Sequence, residues 1–449
     1  MKFWVLVVVC TLILPASGWA WERNTHEEIT EQAIRIMEAD LNTYLIDNLG
    51  LEGGLNASVK GGTPRKLMIQ GSNTEDDGLR SLSHFHEPIT NSGLSIVGGT
   101  SSIEWSLKAV GAQAGEDSFS WNDAREYYFK ALTSANKADR DIFWGKTFRA
   151  LGQVMHLLQD SANPSHVRDD LHPFDDGLHD YMERKSVGSY IGGGIFSPNP
   201  SMLEQVGATR SEPFSNLFDS NIYSGSNPQA TIGTDIGVTE YTNANFFTDD
   251  TIPGQGSIFN ADIRYPTVTE LVPAPIPSPY LTLPRLGSAA FSGARTAKLT
   301  GNQAVAKFLL INTNLDLLGQ LMLDDAVYDA QAQNLIPRAV GYSAAVLKYF
   351  FRGKIPIEDF GYCYQPNLNG PGTFTIFDVP MFVPDEFKDG NLTGYYDRPD
   401  GTRVFNYSNI LEGELSHGGP VTLTHVFQGP LGPDGAQEPK AVVGDTHKV

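Results

Sequence analysis

Apolar residues recur at helical spacing near the start of the chain: Ile29, Ala33, Ile34, Ile36, Met37, Leu41 and Leu45 share a face. Thr25 stands ahead of them as an N-cap, with Glu28 three residues on as its capping-box partner, so an amphipathic helix is predicted over residues 25 to 49. A second is predicted from Trp121, where Asn122 and Asp123 precede the run Ala124 to Leu132. A third runs from about Ala138 to Asp160 through Ile142, Phe143, Phe148, Leu151, Val154, Met155 and Leu158, and a short fourth covers 175–185. Helical pattern returns from Ser288 through Asn302 to Ala332. A last helix is opened by Pro337 and closed by Gly353, with Ala339, Tyr342, Ala345, Leu347 and Phe350 available to a core.

Between these blocks, residues 187–285 lose periodicity under Gly192-Gly193-Gly194 and the proline run from Pro273 to Pro279. That stretch reads as a surface insertion with short helices near Leu203 and Phe214. After Lys354 the texture alternates: Thr373 to Val379 and Val421 to Phe427 read as strands, and Asp400-Gly401 as a hairpin turn between Tyr395-Tyr396 and Val404-Phe405. The expected organisation is mainly α. It comprises an export segment (1–20), a multi-helical domain (21–353) carrying the 187–285 insertion, and a small antiparallel β domain (354–449).

The 449 residues suffice for substantial buried cores, and the formal charge of −20 makes the surface repel nucleic acid and anionic lipid unless a local site reverses the sign. Two cysteines, Cys10 and Cys363, exclude a disulfide-stapled fold. Lys2, the apolar run Phe3 to Leu14, Pro15 and the close Gly18-Trp19-Ala20 have the layout of a secretory signal, with an uncleaved anchor as the alternative. Cleavage after Ala20 is expected to release a secreted or periplasmic protein beginning at Trp21, whose amine and carbonyl together can chelate a metal.

Seven of the ten histidines precede residue 180, and several stand with carboxylates at helical offsets. His156 and Asp160 lie one turn apart on a predicted helix, so both project from one face; Pro164 then ends the helix and sends His166 back toward it. His179 and Glu183 repeat the offset. Imidazole with carboxylate and no thiolate suits zinc in a catalytic setting. Taken alone, either pair would read as a surface ion pair; together they read as a site. His86 and His172 are weaker, each expected beside a site or in solvent, while Glu75 and Asp77 read as solvated loop charges. Trp121, Trp144 and the aromatics of the last helix read as core.

The order of these residues carries a resemblance. Trp21 and His26, an acidic residue at 76, Ser83-His84-Phe85, then His-x3-Asp-x3-Pro-x-His and His-x3-Glu over residues 21–183 resemble the zinc-dependent phospholipase C and single-strand nuclease superfamily. The resemblance implies an all-helical fold with three zinc ions: one held by Asp76, His84, His156 and Asp160, a second by His166, His179 and Glu183. It implies a third held by the Trp21 amine and carbonyl with His26, bridged by Asp160. Asp77 remains open as the alternative to Asp76.

The implied chemistry is phosphodiester hydrolysis by zinc-activated hydroxide, with Asp76 both ligand and orienter or base for the attacking water. The Ser-His-Phe sequence points to the phospholipase branch: glycerophospholipid, at a membrane surface, cleaved to diacylglycerol and a phosphorylated head group. A single-strand nuclease is the runner-up and a non-catalytic, zinc-stabilised surface-binding protein the third reading. No protein partner is implied.

Overall fold

The structure, a computed structural model, describes residues 23–115, 117–171, 177–204, 212–252, 265–273, 279–287, 295–299 and 321–352, and after them 361–365, 373–377, 391–397, 400–405, 422–428 and 444–448. The export segment, Trp21, His172 and the helical pattern at 301–320 lie outside the described residues. The protein is mainly α. Among the described residues its α-helices are, in chain order, α1 (Arg23–Thr43), α2 (Pro64–Thr74), α3 (Ser102–Ser106), α4 (Trp121–Thr133), α5 (Lys137–Asp160), α6 (Pro164–Val167), α7 (Gly177–Met182), α8 (Val238–Asn245), α9 (Pro284–Gly287) and α10 (Asp325–Phe350). No helix among the described residues is long and apolar enough to cross a membrane.

Contacts divide the chain into two compact units, one within Met1–Ala33, Ser72–Ser106 and Val154–Val346, the other within Ile34–Gly71, Leu107–Gln153 and Leu347–Val449. In the second unit the core is aromatic. The Trp121 ring meets Phe350 edge-on at 5.3 Å, Tyr128 lies 5.4 Å from Phe350, and Trp144 stacks on Phe148 at 5.7 Å, as expected of core residues. The capping box of α4 is Ser120 with Asp123, each side chain accepting the other's backbone N–H, so the helix opens just before the Asn122-Asp123 pair. Within this unit α2 and α5 touch backbone to backbone: a Cβ on Gly152 would stand 2.1 Å from the Met68 carbonyl oxygen and 2.9 Å from the Gly71 Cα.

The first unit holds its own core, with Ile29, Phe85, Leu158, Phe214, Phe218, Leu335 and Val340 buried. The sequence expectation differs from the structure in four places here. Within the helical pattern expected from Ser288 to Ala332, residues Arg295–Leu299 and Leu321–Met322 are strands that pair antiparallel. Thr25 lies inside the first turn of α1, because Glu28 is occupied by the Val187 N–H at 2.8 Å and the Ser186 hydroxyl at 2.9 Å rather than by a cap. Pro337 is inside α10 and does not open it. Its ring displaces a helix hydrogen bond at a cost of about 3 kcal/mol, and buried Val327, Leu335, Ile336, Ala339 and Val340 on both sides hold the helix continuous. Finally, the stretch read as a surface insertion contributes α8, buried at every residue, with Glu240 accepting the backbone N–H groups of Ser220, Ile222 and Tyr223 at 2.7 Å each.

Strands are short. In the first unit β1 (Val272–Pro273), β2 (Tyr280–Thr282), β3 (Arg295–Leu299) and β4 (Leu321–Met322) pair antiparallel in that order. After Arg352 the described residues are strands and one turn: β5 (Gly361–Gln365) pairs with β6 (Thr373–Phe377), while β7 (Asn391–Asp397) pairs with β8 (Arg403–Phe405) and β9 (Thr422–Gln428), and β9 with β10 (Gly444–Lys448). The Asp400-Gly401 turn joins β7 to β8 with Tyr395 opposite Phe405 and Tyr396 opposite Val404.

Alanine normally favours a helix interior over glycine by about 1 kcal/mol. At Gly152 the methyl group has no room, so Gly152→Ala is expected to destabilise the protein by about 1–3 kcal/mol, measured by urea unfolding. An unchanged or raised midpoint would contradict this packing.

Candidate metal centre

All the described residues of the centre belong to the first unit. α5 presents His156 and Asp160 one turn apart, and both are fully buried. The helix ends at Asp160; Asn163 then caps α6 by accepting the Ser165 N–H at 3.1 Å, with Pro164 as its first residue, and this reversal brings His166 alongside. His26 arrives from the first turn of α1, and Asp76 and His84 from the segment after α2.

Asp160 is the shared member. Its Oδ1 lies 3.2 Å from His26 Nε2, while its Oδ2 lies 2.9 Å from His84 Nδ1 and 3.1 Å from His156 Nε2. Asp76 Oδ1 closes the group at 3.5 Å from His84 Nδ1 and 3.6 Å from His156 Nε2, and those two nitrogens are 3.2 Å apart. Two triads result, His26/His156/Asp160 and Asp76/His84/His156, and both could hold a metal ion.

The donor set passes a direct test. His26 Nε2, Asp76 Oδ1 and both oxygens of Asp160 are buried with no hydrogen-bond partner, an arrangement that is expensive unless something else satisfies them. A tetrahedral ion bound at about 2.0–2.1 Å sets its ligand atoms about 3.3 Å apart, within the spread seen here. The far nitrogens are also arranged for ligation: His26 Nδ1–H donates to Gln159 Oε1 at 2.7 Å and His156 Nδ1–H to the Ser72 carbonyl at 2.6 Å, so Nε2 is the nitrogen each ring can turn to a metal. Gln159 is itself fixed by donating to Thr30 Oγ1 at 2.9 Å and Ser343 Oγ at 3.2 Å.

The remaining expected ligands are distributed differently. His166 stacks on Phe85, centroids 4.5 Å apart, and its Nδ1 lies 3.3 Å from the His84 carbonyl and 3.7 Å from Asp160 Oδ2. His179 has Glu183 at 4.0 Å as expected, and Asp180 at 3.3 Å completes a third group whose two acids are exposed. Asp77 is exposed and pairs with Arg23 at 2.9 Å, whereas Asp76 faces the histidines. His86, buried, meets Asp219 Oδ2 at 2.8 Å. Glu75, expected in solvent, is fully buried. Its environment is invisible in the sequence because its partners, Arg80 and Trp105, are assembled by the fold.

Electrostatics reflect this crowding. Burial works to lower the His156 pKa, but Asp160 and then Asp76 outweigh it and push it up to about 9. Burial, then neighbouring His156, hold His26 below its usual 6.5. Burial alone would raise Asp160, yet His156, His166 and His84 hold it well below the ordinary carboxylate range. Comparisons with protein-family models, with curated proteins and with solved structures give no match.

The folded ion-free protein keeps a proton on His156 that the unfolded chain releases near pH 6.5. This stabilisation is complete below pH 6.5 and lost as pH rises to about 9; His26, with its lowered pKa, contributes no slope above 6.5. Chelator-treated protein is therefore expected to melt at progressively lower temperature across that window, and His156→Asn to flatten the dependence. A melting temperature rising with pH in the wild type would contradict the assignment.

Proposed function

We propose that this chain is an exported, zinc-dependent phosphodiesterase of the phospholipase C type, related to the phospholipase C and single-strand nuclease superfamily. The observation that carries the reading is the buried convergence of Asp76, His84, His156 and Asp160, with neighbouring donor atoms 2.9 to 3.6 Å apart and no thiolate. Nitrogen and oxygen donors of this kind suit zinc. Asp160, with one oxygen toward His26 and the other toward His84 and His156, is disposed to bridge two ions. In the proposal the Trp21 amine and carbonyl complete the ion at His26, and His166, His179 and Glu183 hold a third.

Bound zinc would supply an acidified water as nucleophile near neutral pH and a positive field for phosphate oxygens inside a chain of net charge −20. The chain's own residues have distinct tasks. Gln159 and the Ser72 carbonyl orient the His26 and His156 rings through their Nδ1–H groups. Asp76, with 9% of its side chain exposed against none for Asp160, is the more solvent-accessible carboxylate of the cluster at His84 and His156, so it is assigned to orient the attacking water and accept its proton. The lipid branch is favoured by Ser83-His84-Phe85 and by the acidic balance, which opposes a polyanionic substrate. The strands after Gly361 are proposed to form a small antiparallel domain that engages the lipid surface.

The test is hydrolysis of phosphatidylcholine and of single-stranded DNA by the purified mature protein. Lipid turnover abolished by chelator and restored by zinc is expected. DNA cleavage alone would replace this reading with the nuclease, and inactivity on both after zinc loading would reduce the site to a structural one. Asp76→Asn is expected to lower turnover by about a hundredfold to ten-thousandfold, read in the same assay. N-terminal sequencing that begins elsewhere than Trp21 would remove the ion proposed there.

A further inference from the structure

Among the three inward-facing rings, His84 is the odd one. His26 and His156 present Nε2 to the cluster and donate Nδ1–H outward to Gln159 and the Ser72 carbonyl. His84 is turned the other way, with Nδ1 2.9 Å from Asp160 and 3.5 Å from Asp76, and its buried Nε2 has no hydrogen-bond partner. Behind that Nε2, at 4.0 Å, stands Glu75 Oε1.

Glu75 is held there firmly. Its Oε1 accepts the Trp105 indole N–H at 2.7 Å, and its Oε2 accepts Arg80 Nε at 3.0 Å and Nη2 at 2.7 Å. The Arg80 guanidinium sits 5.1 Å from the centre of the Trp105 ring, so the three side chains brace one another. Consecutive residues thus point to opposite sides of one imidazole, Asp76 toward its Nδ1 and Glu75 toward its Nε2.

We propose that Glu75 is a positioning residue that sets the tautomer of His84, keeping the proton on Nε2 and the Nδ1 lone pair on the metal. This rests on the metal reading above. A cation held by Asp76 and Asp160 would make the Nδ1 side positive, and the negative end of the Glu75–Arg80 pair would then favour Nε2–H. Where a ligating histidine donates its other N–H to a carboxylate, losing that carboxylate weakens metal binding about ten- to hundredfold; at 4.0 Å Glu75 stands beyond hydrogen-bond reach of Nε2 and acts on it through its charge.

Zinc affinity by chelator competition tests this in the full-length protein. Glu75→Gln is expected to weaken binding by about ten- to hundredfold, and the double variant Glu75→Gln/Arg80→Met, which leaves no unpaired guanidinium, to behave alike. Arg80→Met alone removes part of the brace but keeps the carboxylate and its Trp105 bond, and is expected to weaken zinc binding less than Glu75→Gln does. In zinc-loaded wild type, long-range 15N–1H correlation is expected to place the His84 proton on Nε2, a readout needing no variant. The proposal is overturned if Glu75→Gln keeps wild-type affinity, if Arg80→Met falls as far as Glu75→Gln, as a purely structural role requires, or if the proton is on Nδ1. Wild type that binds no zinc overturns the metal reading along with it.

Discussion

A carboxylate buried from solvent with no hydrogen-bond donor on either oxygen must have positive charge beside it, and Asp160 is in that position. Removing such a group from solvent costs several kcal/mol even after relaxation. Three imidazoles face its two oxygens within 3.2 Å, but they cannot all answer as cations. His26 and His156 stack with centroids 3.7 Å apart, so charging one discourages charging the other: burial first and then His156 hold His26 low, while Asp160 and Asp76 raise His156. Bound metal would remove the conflict, since it would supply positive charge while the rings stay neutral.

The helices around Asp160 serve this arrangement. Helical spacing on α5 puts His156 beneath Asp160, and the stop at Asp160 with the Asn163 cap and Pro164 returns His166 to the same neighbourhood. The rings are fixed by groups on other elements, among them Ser72 at the end of α2, and Gln159 with its anchors Thr30 and Ser343. Rigid placement of these outer groups matters as much as the ligands, because each decides which ring nitrogen has the free lone pair.

Much of the site is legible in the sequence because its geometry is local. His156 and Asp160 need only a helix to be neighbours, and the Pro164 reversal is written in the residue type. Spacing also identifies α4 and α5 and the Asp400-Gly401 turn. What sequence reasoning misses depends on contacts between distant segments. Glu75 looks like one more loop acid until Arg80 and Trp105 close on it, and α8 looks like insertion because its buried polar residues hide a core position. Pro337 carries a local helix-start signal that the apolar residues on both sides override. His166 is recognisable as part of the centre, yet its orientation toward Asp160 and His84 follows from stacking on Phe85, which no spacing rule encodes.

In the proposed function metal, not protons, would balance Asp160. Anomalous diffraction at the zinc absorption edge, from crystals of protein purified without chelator, measures this directly. The account predicts a strong peak among Asp76, His84, His156 and Asp160 and another beside His26 on the opposite oxygen of Asp160. Well-ordered side chains at those positions with no anomalous signal between them would contradict it.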